Sequence, residues 1–588
     1  MSLLRILCTP HIAAVVTLSV LTHSGVFAAE YHLDTFKRIQ LSDVYFSEGA
    51  NAGDLNRDGK PDIVCGPYWY AGPSFEQKHE IYAPKPQPTN FYADNFFSWV
   101  YDFNRDGWND IFVVGFPGTP AHVYENPGEK GGHWPKHVVF DSVSNESPHF
   151  VTVTGDERPE LVCTFGGMYG FATFNPEKPF DKWAFHSVSD KSAPERFGHG
   201  LGVGDLNGDN RPDILAATGW WEQPADKPET SRWTFHDNSF TSAYGGAEML
   251  VYDVDGDGDN DVITSLAAHE YGLAWYEQDR SGREIVFRQR MIMGNHLTQN
   301  RYGLVFTELH SVALADIDGD GLKDIVTGKT YWSHHKSSPL WDAGAVVYWF
   351  KLERTAEGVN WVPHLADRDA GIGRQIIVSD LNGDKLPDIV VGGMKGANAL
   401  IHQRSKVSEA EWQQAQLKPT HPLKAGLSRG KPAELDPASG LVAGAVEGES
   451  LTGANVTVGE ASVQEMTGFS RDRWSGDKQL FWGGAKPGAT MDLEIAVKEA
   501  RTYDIQVVFT MAKDFAIVQP KLDGVPLGDP IDLYSSPDVV TSGVLTLGRK
   551  KLDAGPHHLT LEVIGANPAA EPAFIVGVDY IRFVPAKE

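Results

Sequence analysis

Six nine-residue stretches of this 588-residue chain carry Asp or Asn at positions 1, 3 and 5 and Asp at position 9, with glycine at position 4 or 6. The sets are Asp54, Asn56, Asp58 and Asp62; Asp102, Asn104, Asp106 and Asp110; Asp205, Asn207, Asp209 and Asp213; Asp253, Asp255, Asp257 and Asp261; Asp316, Asp318, Asp320 and Asp324; and Asp380, Asn382, Asp384 and Asp388. A hard cation takes six to eight oxygens at about 2.5 Å, and the glycine lets the loop turn tightly enough to converge them. The expectation is structural Ca2+ in up to six loops. A seventh copy keeps only Asp156 and Glu160 beside Thr152 and Thr154, and is expected to hold no metal.

The loops also serve as a ruler. Six residues before each loop start stand Glu48, Phe96, Glu146, His199, Ala247, His310 and Arg374, with Asn95, His149, Glu248 and Gln375 next to them. The strand after each loop ends near Tyr68, Phe116, Met168, Trp220, His269, Lys329 and Lys395. If these phases share one face, the result is a funnel ringed by acids, bases and cations. Two chemistries fit. His199 and His310, with Glu248 or His149, match the nitrogen and oxygen donors of a catalytic Zn2+ or a similar divalent metal. Alternatively Arg374 and Lys329 hold a carbonyl or anionic oxygen while a His or Glu, Glu48 and His269 included, moves a proton. Aromatic residues at the lip (Tyr68, Trp69, Trp220, Trp221, Tyr271 and Tyr331, with Lys395) would either stack on sugar rings or pack blade against blade.

The elements that must position these groups recur with the loops. Each repeat reads as an apolar strand, the acidic loop, a second apolar strand such as Ile214–Ala217, and aromatic-rich hairpins. Repeats of about 40–50 residues with several strands each signal a β-propeller. The fold class expected is all-β: a seven-bladed propeller over residues 30–403, closed by the early strand around Phe36–Ile39. Residues 404–443 read as a short helix and linker. From 444 to 588 alternating strands return without acidic loops, as in a jelly-roll-like β-sandwich.

Residues 1–29 read as a signal peptide, with Arg5, an apolar run from Ile12 to Leu21, and Val26-Phe27-Ala28 at the cleavage site. The chain is therefore expected to be secreted or periplasmic. No later segment is apolar enough to span a bilayer. The net charge of −27 and the lack of a basic patch argue against nucleic acid. Cys65 and Cys163 sit in apolar runs of non-adjacent repeats and are expected to be buried free thiols.

The acidic loops resemble those of the FG-GAP family of integrin-type propellers, in which such loops bind calcium between the first two strands of a blade. Ser47-Glu48-Gly49-Ala50-Asn51-Ala52-Gly53-Asp54, Gly66-Pro67-Tyr68-Trp69-Tyr70-Ala71-Gly72-Pro73, Phe197-Gly198-His199-Gly200-Leu201-Gly202 and Glu308-Leu309-His310-Ser311 make residues 33–403 similar to the propeller of aldos-2-ulose dehydratase/isomerase. That resemblance implies β-elimination on a keto-sugar such as 1,5-anhydrofructose, though this chain lacks the cupin domains that accompany that propeller. Leu522-Asp523-Gly524, Leu552–His557 and Val578-Asp579-Tyr580 resemble the accessory modules of carbohydrate-active enzymes. Carbohydrate is thus the expected partner. A non-catalytic polysaccharide- or protein-binding propeller, or a lyase on uronic acids, stands as the alternative.

Overall fold

Each repeat folds into one antiparallel sheet. The computed structural model describes residues 30–241, 245–280, 285–295, 297–331, 336, 338–355, 358–419, 433–436, 438–451, 454–469, 472–528, 530–535, 539–567 and 570–586. The leader segment expected at 1–29 lies outside them. Among the described residues seven four-stranded sheets follow one another, six of them in simple chain order. The fourth, for example, runs Leu201–Gly204, Asp213–Ala216, Gly219–Glu222, Thr234–Asp237. The seventh takes Ile376–Ser379, Asp388–Val391 and Ala397–Val407 from one end of the repeats and Tyr31–Ser42 from the other. Its fourth strand comes from the N-terminal side, as the sequence predicted. The innermost strands also touch around a ring: Glu48 N donates to Asn95 O at 2.9 Å, Arg374 N to Glu48 O at 2.9 Å, and Met249 N to Leu201 O at 3.0 Å. This is a β-propeller, with Cys65 and Cys163 buried in it as free thiols.

The acid at loop position 9 has a structural job in every blade. Asp62, Asp110, Asp213, Asp261, Asp324 and Asp388 are buried, and each accepts from the backbone N–H of loop position 2 through one oxygen. The other oxygen accepts from an N–H at or just beyond the third strand, at 2.7–2.9 Å. The third blade, which lacks the other acids, keeps Glu160 for the same purpose, taking Val153 N at 2.7 Å and Thr154 Oγ1 at 2.8 Å. A buried carboxylate that satisfies otherwise orphaned N–H groups ties the loop to the sheet whether or not a cation is present.

Beyond the propeller, two sheets of seven and six strands form the sandwich. Thr490–Val497 alternates outward and inward, and its inward Met491, Leu493 and Ile495 pack with Trp482, Val507, Leu559 and Val578. A period of two with one face buried is what a sandwich strand requires. The helix Glu409–Ala415 is capped by Ser408, whose side chain and that of Glu411 each take the other residue's N–H. Trp412 of that helix lies 5.3 Å from the ring of Tyr31. No described helix is long and apolar enough to cross a membrane.

Candidate functional site

Three imidazoles from three blades meet at the mouth of the inner strands. His199 precedes the first strand of the fourth blade, His310 that of the sixth, and His269 follows the second strand of the fifth. One nitrogen from each lies within 4.8 Å of the other two, and His310 Nε2 is 3.1 Å from His269 Nδ1. Two nitrogens sharing a tetrahedral zinc, with bonds near 2.0 Å, would sit about 3.3 Å apart. Among the described residues, these imidazoles and the carboxylates of the loops at Asp253 and Asp316 are the groups whose geometry can hold a metal.

Their backbone explains how two of them are aimed. His199 Nδ1 faces the carbonyl of Phe197 at 2.9 Å, and His310 Nδ1 faces that of Glu308 at 3.2 Å. A carbonyl can only accept, so His199 Nδ1 carries the proton and its Nε2 presents a lone pair, whereas His310 Nδ1 also lies 3.3 Å from the Thr330 hydroxyl, which can donate to it. Fixing a tautomer through the distal nitrogen is how metal-binding histidines are oriented. In both cases the residue two before the histidine, Phe197 or Glu308, has φ of 61°. Bulky or branching side chains rarely adopt that left-handed conformation, and strain of this kind gathers at functional sites. Burial, then the charge of Arg374 and the two other imidazoles, holds the His310 pKa well below its ordinary value, so that ring is neutral at pH 7.

Behind the imidazoles lies a buried ionic lattice. Glu146 Oε2 is 3.6 Å from His199 Nε2 and 3.1 Å from Arg374 Nε. Arg374 Nη1 is 3.8 Å from Glu48 Oε2, while the other oxygen of Glu48 accepts from the Tyr45 hydroxyl. Arg374 is 1% exposed, and the faces of Tyr92 and Phe96 lie 5.5 and 5.8 Å from its guanidinium carbon. Charges removed from water this completely persist only when paired.

Several expected members stand elsewhere. Glu248 is committed to Ser311 Oγ at 3.1 Å and Val312 N at 2.8 Å, and burial pushes its pKa up to about 7. His149 Nε2 is taken by the carbonyl of Leu201 at 2.9 Å, and burial lowers its pKa. The third imidazole is therefore His269, not a Glu248 or His149 donor. Lys329 is sealed in a 2.7 Å pair with Glu308 and donates to Thr330 O, so it is no oxygen-binding cation; Glu48 is equally enclosed. Trp220 and Trp221 are 1% and 5% exposed; Trp220 packs with the fifth blade and stacks on His236, while Trp221 lies against Tyr169 of the third. Tyr68 is buried, Trp69 stacks on His79 at 4.1 Å, and Tyr271 is half-buried. Tyr68, Trp69, Trp220 and Trp221 pack blades rather than face a ligand. Tyr331 remains exposed, with the ammonium of Lys395 4.5 Å from its ring centroid.

A group that the spacing did not expose lies in the sandwich. Asp579 Oδ2, Glu447 Oε2 and Glu449 Oε2 are buried and make no hydrogen bond among the described residues. Burial, then the charge of Glu447, pushes the Asp579 pKa up to about 8.

Residues 253–327 match the FG-GAP-like repeat family. The chain is a propeller-type repeat protein that carries this repeat. It is 24% identical over 325 residues to the rhamnogalacturonan exolyase YesX of Bacillus subtilis, covering 50% of this chain and 49% of that protein. It is 27% identical over 388 residues to integrin alpha pat-2 of Caenorhabditis elegans, covering 58% of this chain and 27% of that protein. The chain thus spans half or less of these curated relatives. Among solved structures, the exo-β-1,3-galactanase of Phanerochaete chrysosporium aligns with 94% of this chain and 100% of its own at 10% identity, with a TM-score of 0.27.

Proposed function

We propose that the chain is a secreted carbohydrate lyase whose reaction takes place at His199, His269 and His310. The observation that carries this reading is the convergence of three imidazoles, His199 with its lone pair fixed by a backbone carbonyl. A similarity to a rhamnogalacturonan exolyase supports elimination on a uronate polymer over dehydration of a free keto-sugar. A divalent transition metal fits this donor set, and when bound it would polarise a carbonyl or carboxylate oxygen and acidify the neighbouring C–H.

The chain's own residues supply the rest. Glu146, whose Oε2 lies 3.6 Å from His199 Nε2, takes the C–H proton; the bond's electron pair becomes a C=C bond, and the β C–O bond breaks. Arg374 holds Glu146 through Nε and keeps its charge in place. The Asp/Asn loops are proposed as structural calcium sites. At the loop beginning with Asp316 a cation competes with the ammonium of Lys351, which contacts Asp318 and lies 2.9 Å from Asp320.

The test incubates the protein with uronate polymers and with keto-sugars and follows ultraviolet absorbance from the new double bond, alongside metal analysis after calcium is stripped. Roughly one transition metal per chain and growing absorbance are expected. No absorbance on either substrate class, with no metal retained, overturns the reading. The integrin similarity favours a second reading, non-catalytic binding of a polysaccharide or protein, and that outcome would leave it standing.

A further inference from the structure

One wall of the site is aromatic and open. Phe91 is 54% exposed and Phe197 39%; Phe197 stands two residues before His199, and Phe91 precedes Tyr92, whose ring lies against Arg374. Starting from the imidazoles, His199 bonds the carbonyl of Phe197, and the ring of Phe197 meets Phe116 edge-on at 5.5 Å. Phe116 lies 6.2 Å from Phe91, nearly parallel to it, and 5.8 Å from Tyr92. Tyr92 lies against Arg374, Arg374 holds Glu146, and Glu146 returns to His199. The circuit closes, so the wall is continuous with the site on both of its sides.

The wall is also held rigid. The guanidinium of Arg196 lies 5.4 Å from the Phe116 centroid and 5.0 Å from that of Phe197. It is anchored by two bonds to Pro117 O, at 3.0 and 2.6 Å. Phe197 reaches its place only through a left-handed backbone. Phe116 is half-buried and packs against the core of the second and third blades, while Phe91 and Phe197 present their rings to solvent, and a pre-organised aromatic surface lowers the entropy cost of binding. The C–H faces of a pyranose ring are the apolar surface such a wall suits.

We propose that Phe91, Phe116 and Phe197 form a subsite for a second sugar ring next to the reacting one, so that the substrate is an oligosaccharide and not a monosaccharide. The inference rests on the carbohydrate reading above. In the elimination it implies, the group that departs from the β carbon is the glycosidic oxygen of the neighbouring residue. That oxygen takes up a proton from water as its C–O bond breaks, and Glu146 returns the abstracted proton to solvent, so the products are one unsaturated sugar and one shortened chain.

The experiment measures binding by calorimetry, on the metal-loaded full chain, for two ladders of one to six residues, oligogalacturonides and neutral β-glucan oligosaccharides. Affinity in at least one ladder should rise from monomer to dimer, and Phe91→Ala and Phe197→Ala should each weaken the longer ligands by about tenfold, the upper range for one aromatic contact. Phe91→Ala should leave the melting temperature unchanged, which separates binding from folding, and both variants should keep the metal content of the parent. Length dependence that survives in both variants, or no length dependence in either ladder, overturns the subsite. Length-dependent binding lost in the variants, without any unsaturated product from the parent, keeps the subsite and overturns the lyase. Unsaturated product with equal rates on short and long chains does the reverse.

Discussion

Arg374 Nε lies 3.1 Å from Glu146 Oε2, although the two residues open the inner strands of the seventh and third blades. The pair spans the ring and, through Glu48 and the Tyr45 hydroxyl, fastens the first blade as well. Leaving one buried charge without its partner costs on the order of 3–5 kcal/mol. Arg374→Met is expected to lower the unfolding free energy by about that much, read from denaturant midpoints. Because Arg374 also depresses His310, the imidazole titration followed by NMR should move upward in a folded Arg374→Gln variant. An unmoved titration would show that burial alone keeps His310 neutral.

The three histidines and their former candidates give opposite expectations. His199→Ala, His269→Ala and His310→Ala should each lose the transition metal, by at least an order of magnitude in affinity, as removal of one of three protein ligands requires. Glu248→Gln should retain it, since that side chain is spent on Ser311 and Val312. Metal analysis by mass spectrometry after dialysis reads both. Loss in Glu248→Gln with retention in His269→Ala would reverse the assignment made from geometry.

The fold was readable from the sequence because its signal repeats: the acidic loop fixes where each strand begins and ends, and strand alternation marks the sandwich. The same phase located His199, His310, His269, Glu146 and Arg374 on one face. It could not decide which of them pair, because those choices are made by contacts between neighbouring blades or inside one blade. Glu248 of the fifth blade meets Ser311 and Val312 of the sixth, His149 of the third meets Leu201 of the fourth, and Lys329 finds Glu308. The aromatics failed for a related reason. Trp220 and Trp221 sit in strands and are consumed by inter-blade packing, whereas Phe91 and Phe197 lie in connections whose exposure no spacing rule records.

Asp579 carries a pH dependence of known sign. Its pKa in the folded chain is raised to about 8, against roughly 3.9 when unfolded, by burial and by Glu447 and Glu449. A raised acid costs nothing below its unfolded pKa, costs progressively more as pH climbs, and reaches its full penalty above pH 8. In chelator, Asp579→Asn should stabilise the sandwich at pH 8.5, by up to about 1.4 kcal/mol for each unit of the shift, and be neutral near pH 4. Asn keeps the oxygen that accepts from Ser475 N, so packing is preserved. Melting curves at the two pH values test this, and equal shifts at both would show that charge is not the cause.

Lys351 offers the sharpest test of the acidic loops. Its ammonium contacts Asp318 and Asp320, and despite a burial cost these two carboxylates raise its pKa. This loop and the one at Asp253 each bring three acids together, but two carboxylates neutralised by an internal ammonium have less need of an external cation than those at Asp253, where the nearer guanidinium, Arg354 Nη2, stays 3.8 Å from Asp253 Oδ1. Exhaustive chelation should lower the melting temperature by several degrees, because like charges are released into mutual repulsion. Lys351→Met should add about one calcium per chain in equilibrium dialysis and steepen the loss on chelation. An unchanged stoichiometry in Lys351→Met, with chelation still destabilising, would mean that the loop at Asp316 admits calcium beside the lysine. An unchanged melting temperature after chelation of the parent chain would mean that the position 9 carboxylates, through their backbone bonds, hold the blades without any metal.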